Sequence, residues 1–168
     1  MNFFELSLSE RDAKNCLHHR GEIVLVDIVL ECHENGILTQ STIKAENPFL
    51  KSLGEEKVFP TYQCIELIAQ SLGCYQKILQ SRMAKDGIPK IGFLLSARNF
   101  EILKPYAKVG QKIFTQVELT TQDVNGFGVC EGKVYFDCVA EENLACHSSV
   151  SVLSPKEDIR DFLRRENA

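Results

Sequence analysis

No apolar run in these 168 residues approaches the ~20 that a membrane-spanning helix requires, so no membrane span is expected. The start of the chain, Met1-Asn2-Phe3-Phe4-Glu5-Leu6, has neither a basic region nor a cleavable apolar stretch, which argues against a signal peptide. Seven cysteines is an odd number, and no two stand at C-x-x-C spacing. The close pairs that announce zinc sites and the even counts of small secreted disulfide scaffolds are therefore both missing. No metal and no cofactor are expected, since a glycine-rich phosphate loop is missing as well. Bases are not in excess: the net charge of −4 argues against a nucleic-acid partner. Histidine is absent from Ile37 through Asn143. What remains is 44% hydrophobic and 25% charged, which is ordinary for a globular protein, and long enough to bury a core. These features predict one cytoplasmic domain over residues 1–168, with reduced thiols behaving as small core hydrophobes.

Charge is unevenly distributed along the chain. From Lys77 to Lys112 eight bases face two acids, a local +6, while the other residues carry −10. A positive region on an acidic protein suits an anionic partner or substrate handle.

Ser7-Leu8-Ser9-Glu10 has the form of a capping box and predicts a short helix ending near Leu17. Ile23–Cys32 predicts a strand, Asn35-Gly36 a hairpin, and Ile37–Ala45 the returning strand with Ile37, Thr39, Ser41 and Ile43 on one face. Glu46–Pro60 predicts a loop. Thr61–Met83 is the one long helix, apolar nearly all round, with Ile65, Ile68, Ala69, Leu72, Leu79 and Met83 as its main stripe. Leu67, Cys74 and Ile78 cover its other side, and Gln63, Glu66 and Gln70 form a narrow polar strip. Four further strands follow, over Ile91–Leu103, Gln111–Thr121, Phe127–Val139 and Leu144–Leu153, and then a charged helix from Ser154 to about Arg165. Many strands and a single apolar helix predict an α+β fold, an antiparallel sheet curled around that helix.

Several segments are similar to one family in the same order. Leu17-His18-His19-Arg20-Gly21-Glu22-Ile23-Val24-Leu25-Val26-Asp27 resembles the L-P-H-R-x-P-F-L-L-V-D opening of the β-hydroxyacyl-(acyl carrier protein) dehydratases. Phe59-Pro60 with Ile65-Glu66-Leu67-Ile68-Ala69-Gln70 resembles their F-P-G and L-E-A-M-A-Q at the start of the central helix. Gly92–Phe100 and Val109-Gly110-Gln111 resemble their third strand and P-G-D turn. Gly21-Glu22 and the helix motif are most similar to the subfamily associated with aryl polyene pigments.

The resemblance implies a hot-dog fold and a 3-hydroxyacyl-thioester dehydratase of fatty acid or polyene biosynthesis. Its substrate would be carried on acyl carrier protein or coenzyme A. It implies Glu66 as the carboxylate that helps the β-hydroxyl leave. The family's catalytic His, in a G-H-F-P-G motif ahead of the helix, has no counterpart: Lys51–Lys57 stands there instead. His19 aligns with a family position that reads as structural, orienting the entry to the first strand, and its alternative role is the base. Gln63 and Gln70 flank Glu66 at i−3 and i+4 as candidates to hydrogen-bond it or a substrate. Phe59, Thr61, Tyr62, Phe93 and Leu95 are candidates to line the substrate path, with helix-start amides near Thr61-Tyr62 to polarise the carbonyl. His33, beside the hairpin, is expected to be exposed, and His147 carries no role. Three readings stay open: dehydratase, hot-dog thioesterase using Glu66, or a partner subunit in a heterodimer with a His-bearing hot-dog chain. The missing His leads to the expectation that the chain alone is a weak dehydratase or none and that a His-bearing partner restores activity through Glu66; a homodimer with His19 as base is the rival. In the resembled family the two acid–base groups come from different subunits.

Overall fold

Strand β2 (Gly36–Thr42) alternates as its sequence predicts, burying Ile37, Thr39 and Ser41 on one face. It lies inside a six-stranded sheet in the computed structural model, which describes residues 2–82, 92–124 and 126–153. The strands are β1 (Ile28–His33), β2, β5 (Phe93–Ile102), β7 (Lys112–Gln122), β8 (Phe127–Phe136) and β9 (Leu144–Leu153). Their order is β1-β2-β7-β8-β9-β5, antiparallel throughout and open at both edges. β3 (Lys51–Leu53), β4 (Glu56–Pro60) and β6 (Tyr106–Lys108) form a separate small sheet. The helices are α1 (Leu8–Arg11), α2 (Ala13–Cys16) and the long α3 (Cys64–Arg82), preceded by a 3-10 turn at Thr61–Gln63. The expected α+β arrangement, a sheet curled on one long helix, is what forms. No helix among the described residues is long and apolar enough to cross a membrane.

The sheet meets α3 along Leu67, Ile68, Ser71, Cys74, Tyr75 and Ile78, one stripe at helical spacing. This corrects the expected main stripe in part: Ile68 and Leu72 are buried as expected, Ile65, Ala69 and Leu79 stay half-buried, and Leu67, Cys74 and Ile78 from the other side join the buried face. Small and polar groups allow the close approach. Ile68 sits over Gly132, where an added Cβ would stand 2.7 Å from Ile68 Cδ1. Ser71 Oγ donates to Leu67 O at 2.7 Å and lies 2.7 Å from Thr39 Oγ1 on β2. Tyr75 Oη donates to Glu34 O at 2.6 Å, tying the helix to the β1–β2 hairpin.

Three expected elements and the burial of one residue differ. The N-terminal helix is split at Asp12, whose extended backbone pairs with Ile28 while its side chain caps α2 through Lys14 N. The first strand starts at Ile28 rather than Ile23, because the amides of Leu25 and Val26 bond to the Gln70 side chain rather than to a strand. The expected loop 46–60 contains the β3–β4 hairpin, turned at Gly54 (φ 61°), and β4 pairs with β6. β3 is wholly exposed, so it carries no apolar alternation to read. His33 is buried, not exposed: Phe3 bridges to it and stacks edge-on at 5.5 Å, and its Nε2 lies 3.4 Å from Glu118 Oε1. Met83 and the predicted helix after Ser154 lie outside the described residues.

Glu10 ties the N-terminal segment to the end of α3. Burial pushes its carboxyl up, but hydrogen bonds from Ser7, Arg82 and Ser81 outweigh this and hold it at about 2, below the ordinary 4.5. Its folded value is depressed, so the stabilisation is complete above pH 4.5 and is lost as pH falls toward 2. Glu10→Gln is expected to lower stability at pH 7 by about 1 kcal/mol and to flatten the acid limb over that window. Urea midpoints measured across the range check it.

Candidate active site

Glu66 is held by a residue four positions on, one turn along α3. Gln70 is fully buried. Its Nε2 donates to Glu66 Oε1 and to Ile23 O, both at 2.8 Å, and its Oε1 accepts from Leu25 N at 2.8 Å and Val26 N at 3.3 Å. The amide thus joins the helix to the chain that follows His19, and fixes one carboxylate oxygen of Glu66. His19 arrives from α2 through Leu17 and His18. Its Nε2 stands 3.6 Å from that same oxygen, and the two side chains are 39% and 37% exposed. The other ring nitrogen, Nδ1, is buried without a hydrogen-bond partner among the described residues.

The pair opens onto a groove of about 290 Å³ along α3. From Glu66 the groove passes Ala69, Leu72 and Gly73 and ends at Gln76, Lys77 and Gln80, about 21 Å along the helix axis. Cys16, Leu17 and His18 form one wall, and Phe93, Leu94 and Val152 the other. On the far side of His19 a second cleft of about 560 Å³ carries Lys14, Arg20 and Lys44. His19 lines both.

The sequence-predicted residues divide accordingly. Glu66, His19 and Phe93 meet at the groove. Gln70 bonds to the protein itself on all sides. Thr61 is buried, its hydroxyl donating to Lys104 O and its amide to Pro105 O. Phe59 is core with no exposed surface. Tyr62 is exposed and Gln63 half-buried, and neither lines the groove. Leu95 also lies off it: the β5–β9 register shifts between Leu94 and Ser96, which leaves Leu94 at the groove. His147 pairs with Glu101 at 3.1 Å, away from the site. Sequence reasoning passed over Leu17, Leu94, Gln76 and the floor at Ala69 and Gly73. Small residues at i+3 and i+7 from Glu66, facing a gap in the helix's cover, were the available signal.

Chemically, an imidazole and a carboxylate in contact at the head of a largely apolar groove form an acid–base pair beside a slot for an alkyl chain.

Comparison with known proteins gives the family and the fold. The family model ApeP-like (ApeP dehydratase) matches residues 11–164. Among solved structures, the dehydratase heterocomplex ApeI:P from Xenorhabdus doucetiae is similar at 21% identity and a TM-score of 0.77, covering 94% of this chain and 98% of that one. The uncharacterised protein PH1136 from Pyrococcus horikoshii is similar at 17% identity and a TM-score of 0.60, covering 95% and 98%. A hypothetical thioesterase with coenzyme A from Streptococcus pneumoniae TIGR4 shares 13% identity at a TM-score of 0.54, covering 77% and 87%. No curated protein sequence matches. At these identities the structures speak for a shared hot-dog fold.

Proposed function

The chain belongs to the ApeP-like dehydratase family, and from that premise we propose that it dehydrates 3-hydroxyacyl thioesters, with its own His19 and Glu66 as the acid–base pair. The observation that carries this reading is the 3.6 Å approach of His19 Nε2 to Glu66 Oε1 at the head of the groove. The acyl chain lies in the groove and the thioester at its head. Neutral His19 takes a proton from the α-carbon, and that electron pair forms the C=C bond as the β-carbon–oxygen bond breaks. Protonated Glu66 gives its proton to the departing hydroxyl, which leaves as water. One group gains a proton and the other loses one, and both are exposed enough to exchange with solvent before the next turnover.

Acyl carrier protein or coenzyme A carries the substrate in this reading. Lys104 and Lys108, near the 3-10 turn before α3, lie in the segment of +6. Assembly is side by side through β5, an edge strand of the six-stranded sheet that exposes Leu94, Leu95 and Ile102. The partner is a second copy or a related hot-dog chain. The heteromeric state of the Xenorhabdus doucetiae complex favours keeping the second possibility.

Product analysis tests the reading. The isolated protein, given a 3-hydroxyacyl thioester, is expected to yield the enoyl thioester. Free thiol instead would assign a thioesterase. No product alone, but enoyl product once a His-bearing hot-dog chain is added, would assign a half-site subunit.

A further inference from the structure

The groove and the second cleft meet at one residue: among the described residues, His19 alone lines both. Their chemistry differs on its two sides. Beyond Glu66 the groove runs over Ala69, Leu72 and Gly73, a lining fit for hydrocarbon. The cleft, of about 560 Å³, is lined from two chain segments, by Lys14, Asn15 and Arg20 and by Thr42, Lys44 and Asn47. Gly21, Val24 and Leu25 complete it, in a segment that Gln70 holds through Ile23 O and Leu25 N. Gly21 (φ 70°) has nothing within 4 Å of where a Cβ would stand, so bare backbone faces open space there.

The polar groups of the cleft are only partly engaged. Lys44 Nζ pairs with Asp27 Oδ1 at 2.8 Å, whereas Lys14 and Arg20 have no ion-pair partner among the described residues. Arg20 Nη1 donates to Leu17 O at 2.6 Å and to His19 O at 2.7 Å, which holds the guanidinium beside His19 and leaves its other nitrogens. Asn15 Nδ2 donates to Ser9 O at 3.1 Å and Asn47 Oδ1 accepts from Phe49 N at 2.9 Å, so each keeps half of its carboxamide for another partner. Glu22 and Glu46 share the lining and repel an anion, which points a phosphate to Lys14 and Arg20 rather than to the cleft at large. The cleft also borders the segment of +6: Thr42 pairs with Lys112 across β2 and β7, and Ile43 O accepts from Gly110 N at 2.7 Å.

A thioester substrate changes character at its carbonyl. Hydrocarbon lies on the acyl side, and on the sulfur side a chain of two amides ends in a phosphate. The change of lining at His19 matches that change in the ligand and sets the thioester at His19 and Glu66. We propose that the second cleft is the site of the substrate's phosphopantetheine arm, with the amides against Asn15 and Asn47 and the phosphate between Lys14 and Arg20. The assignment rests on the reading of the groove as the acyl slot. The reverse placement would set the two amides against Ala69, Leu72 and Gly73, where they find no partners, and carry the phosphate toward Lys77.

Two thioether probes, S-octyl-phosphopantetheine and S-octyl-pantetheine, test it by calorimetric titration of the whole protein. Neither dehydration nor hydrolysis consumes them, so binding is read apart from activity, and they differ only in the phosphate. The phosphorylated probe is expected to bind about tenfold tighter, by a margin that shrinks as salt rises. Lys14→Glu is expected to remove that margin and leave the other probe unchanged, while Lys77→Glu leaves the margin in place. With the octyl arm borne on coenzyme A or on acyl carrier protein, the tighter of the two names the source, and Lys14→Glu is expected to weaken both. Equal affinity for the two octyl probes, or a margin kept in Lys14→Glu and removed in Lys77→Glu, would overturn the assignment. Binding as expected in a protein that gives no enoyl product from a 3-hydroxyacyl thioester would overturn the dehydratase reading alone and leave the arm's site standing.

Discussion

Glu66→Gln is expected to lower dehydration of a 3-hydroxyacyl thioester by about 10²–10⁴-fold, with stability unchanged within about 0.5 kcal/mol. The amide keeps the volume and still offers an oxygen to the 2.8 Å bond from Gln70. It loses the proton that the leaving hydroxyl requires. His19→Ala is expected to fall in the same range, because removal of the α-proton loses its acceptor. The loss should appear in kcat rather than KM, since neither change alters the apolar groove that holds the chain. Steady-state kinetics beside a urea titration separates this from unfolding: activity lost together with the urea midpoint would make Glu66 structural.

Gln70→Leu has the largest expected effect on stability. The side chain would keep its bulk but leave Leu25 N, Val26 N and Ile23 O without their present partners in the interior. At about 1–3 kcal/mol for each stranded group, a loss of about 3 kcal/mol or more follows. Activity should fall as well, even below the urea concentrations that unfold the variant, because Glu66 loses the bond that fixes it. Equal stability of Gln70→Leu and wild type would show that the backbone there finds other partners.

Local pattern made the sheet readable. Ile37, Thr39 and Ser41 alternate, Asn35-Gly36 turns the hairpin, and Leu144–Leu153 has the bounds its sequence predicts. β3 escaped because exposed Lys51, Ser52 and Leu53 carry no inward face, and β4 because its buried Val58, Phe59 and Pro60 run together instead of alternating. Gln70 was legible in part: its bond to Glu66 follows from their i, i+4 spacing. The two amides that follow the 3-10 turn at Gly21–Ile23 also need its oxygen, a long-range demand invisible along the helix. His19 and Glu66 were named from a resemblance between separated motifs. Nothing in their spacing fixes a distance of 3.6 Å, which arises from α2 crossing α3 at Gly73.

The central claim is that both groups of the acid–base pair come from one chain. Mixing inactive His19→Ala protein with inactive Glu66→Gln protein, under conditions where subunits exchange, tests it most directly. Each mutant chain would spoil its own site, and no mixed assembly would contain an intact pair. The mixture is therefore expected to stay as inactive as its components. If the two groups met across subunits instead, some interfaces in the mixture would join a wild-type Glu66 to a wild-type His19. Recovery toward a quarter of wild-type turnover would contradict the account.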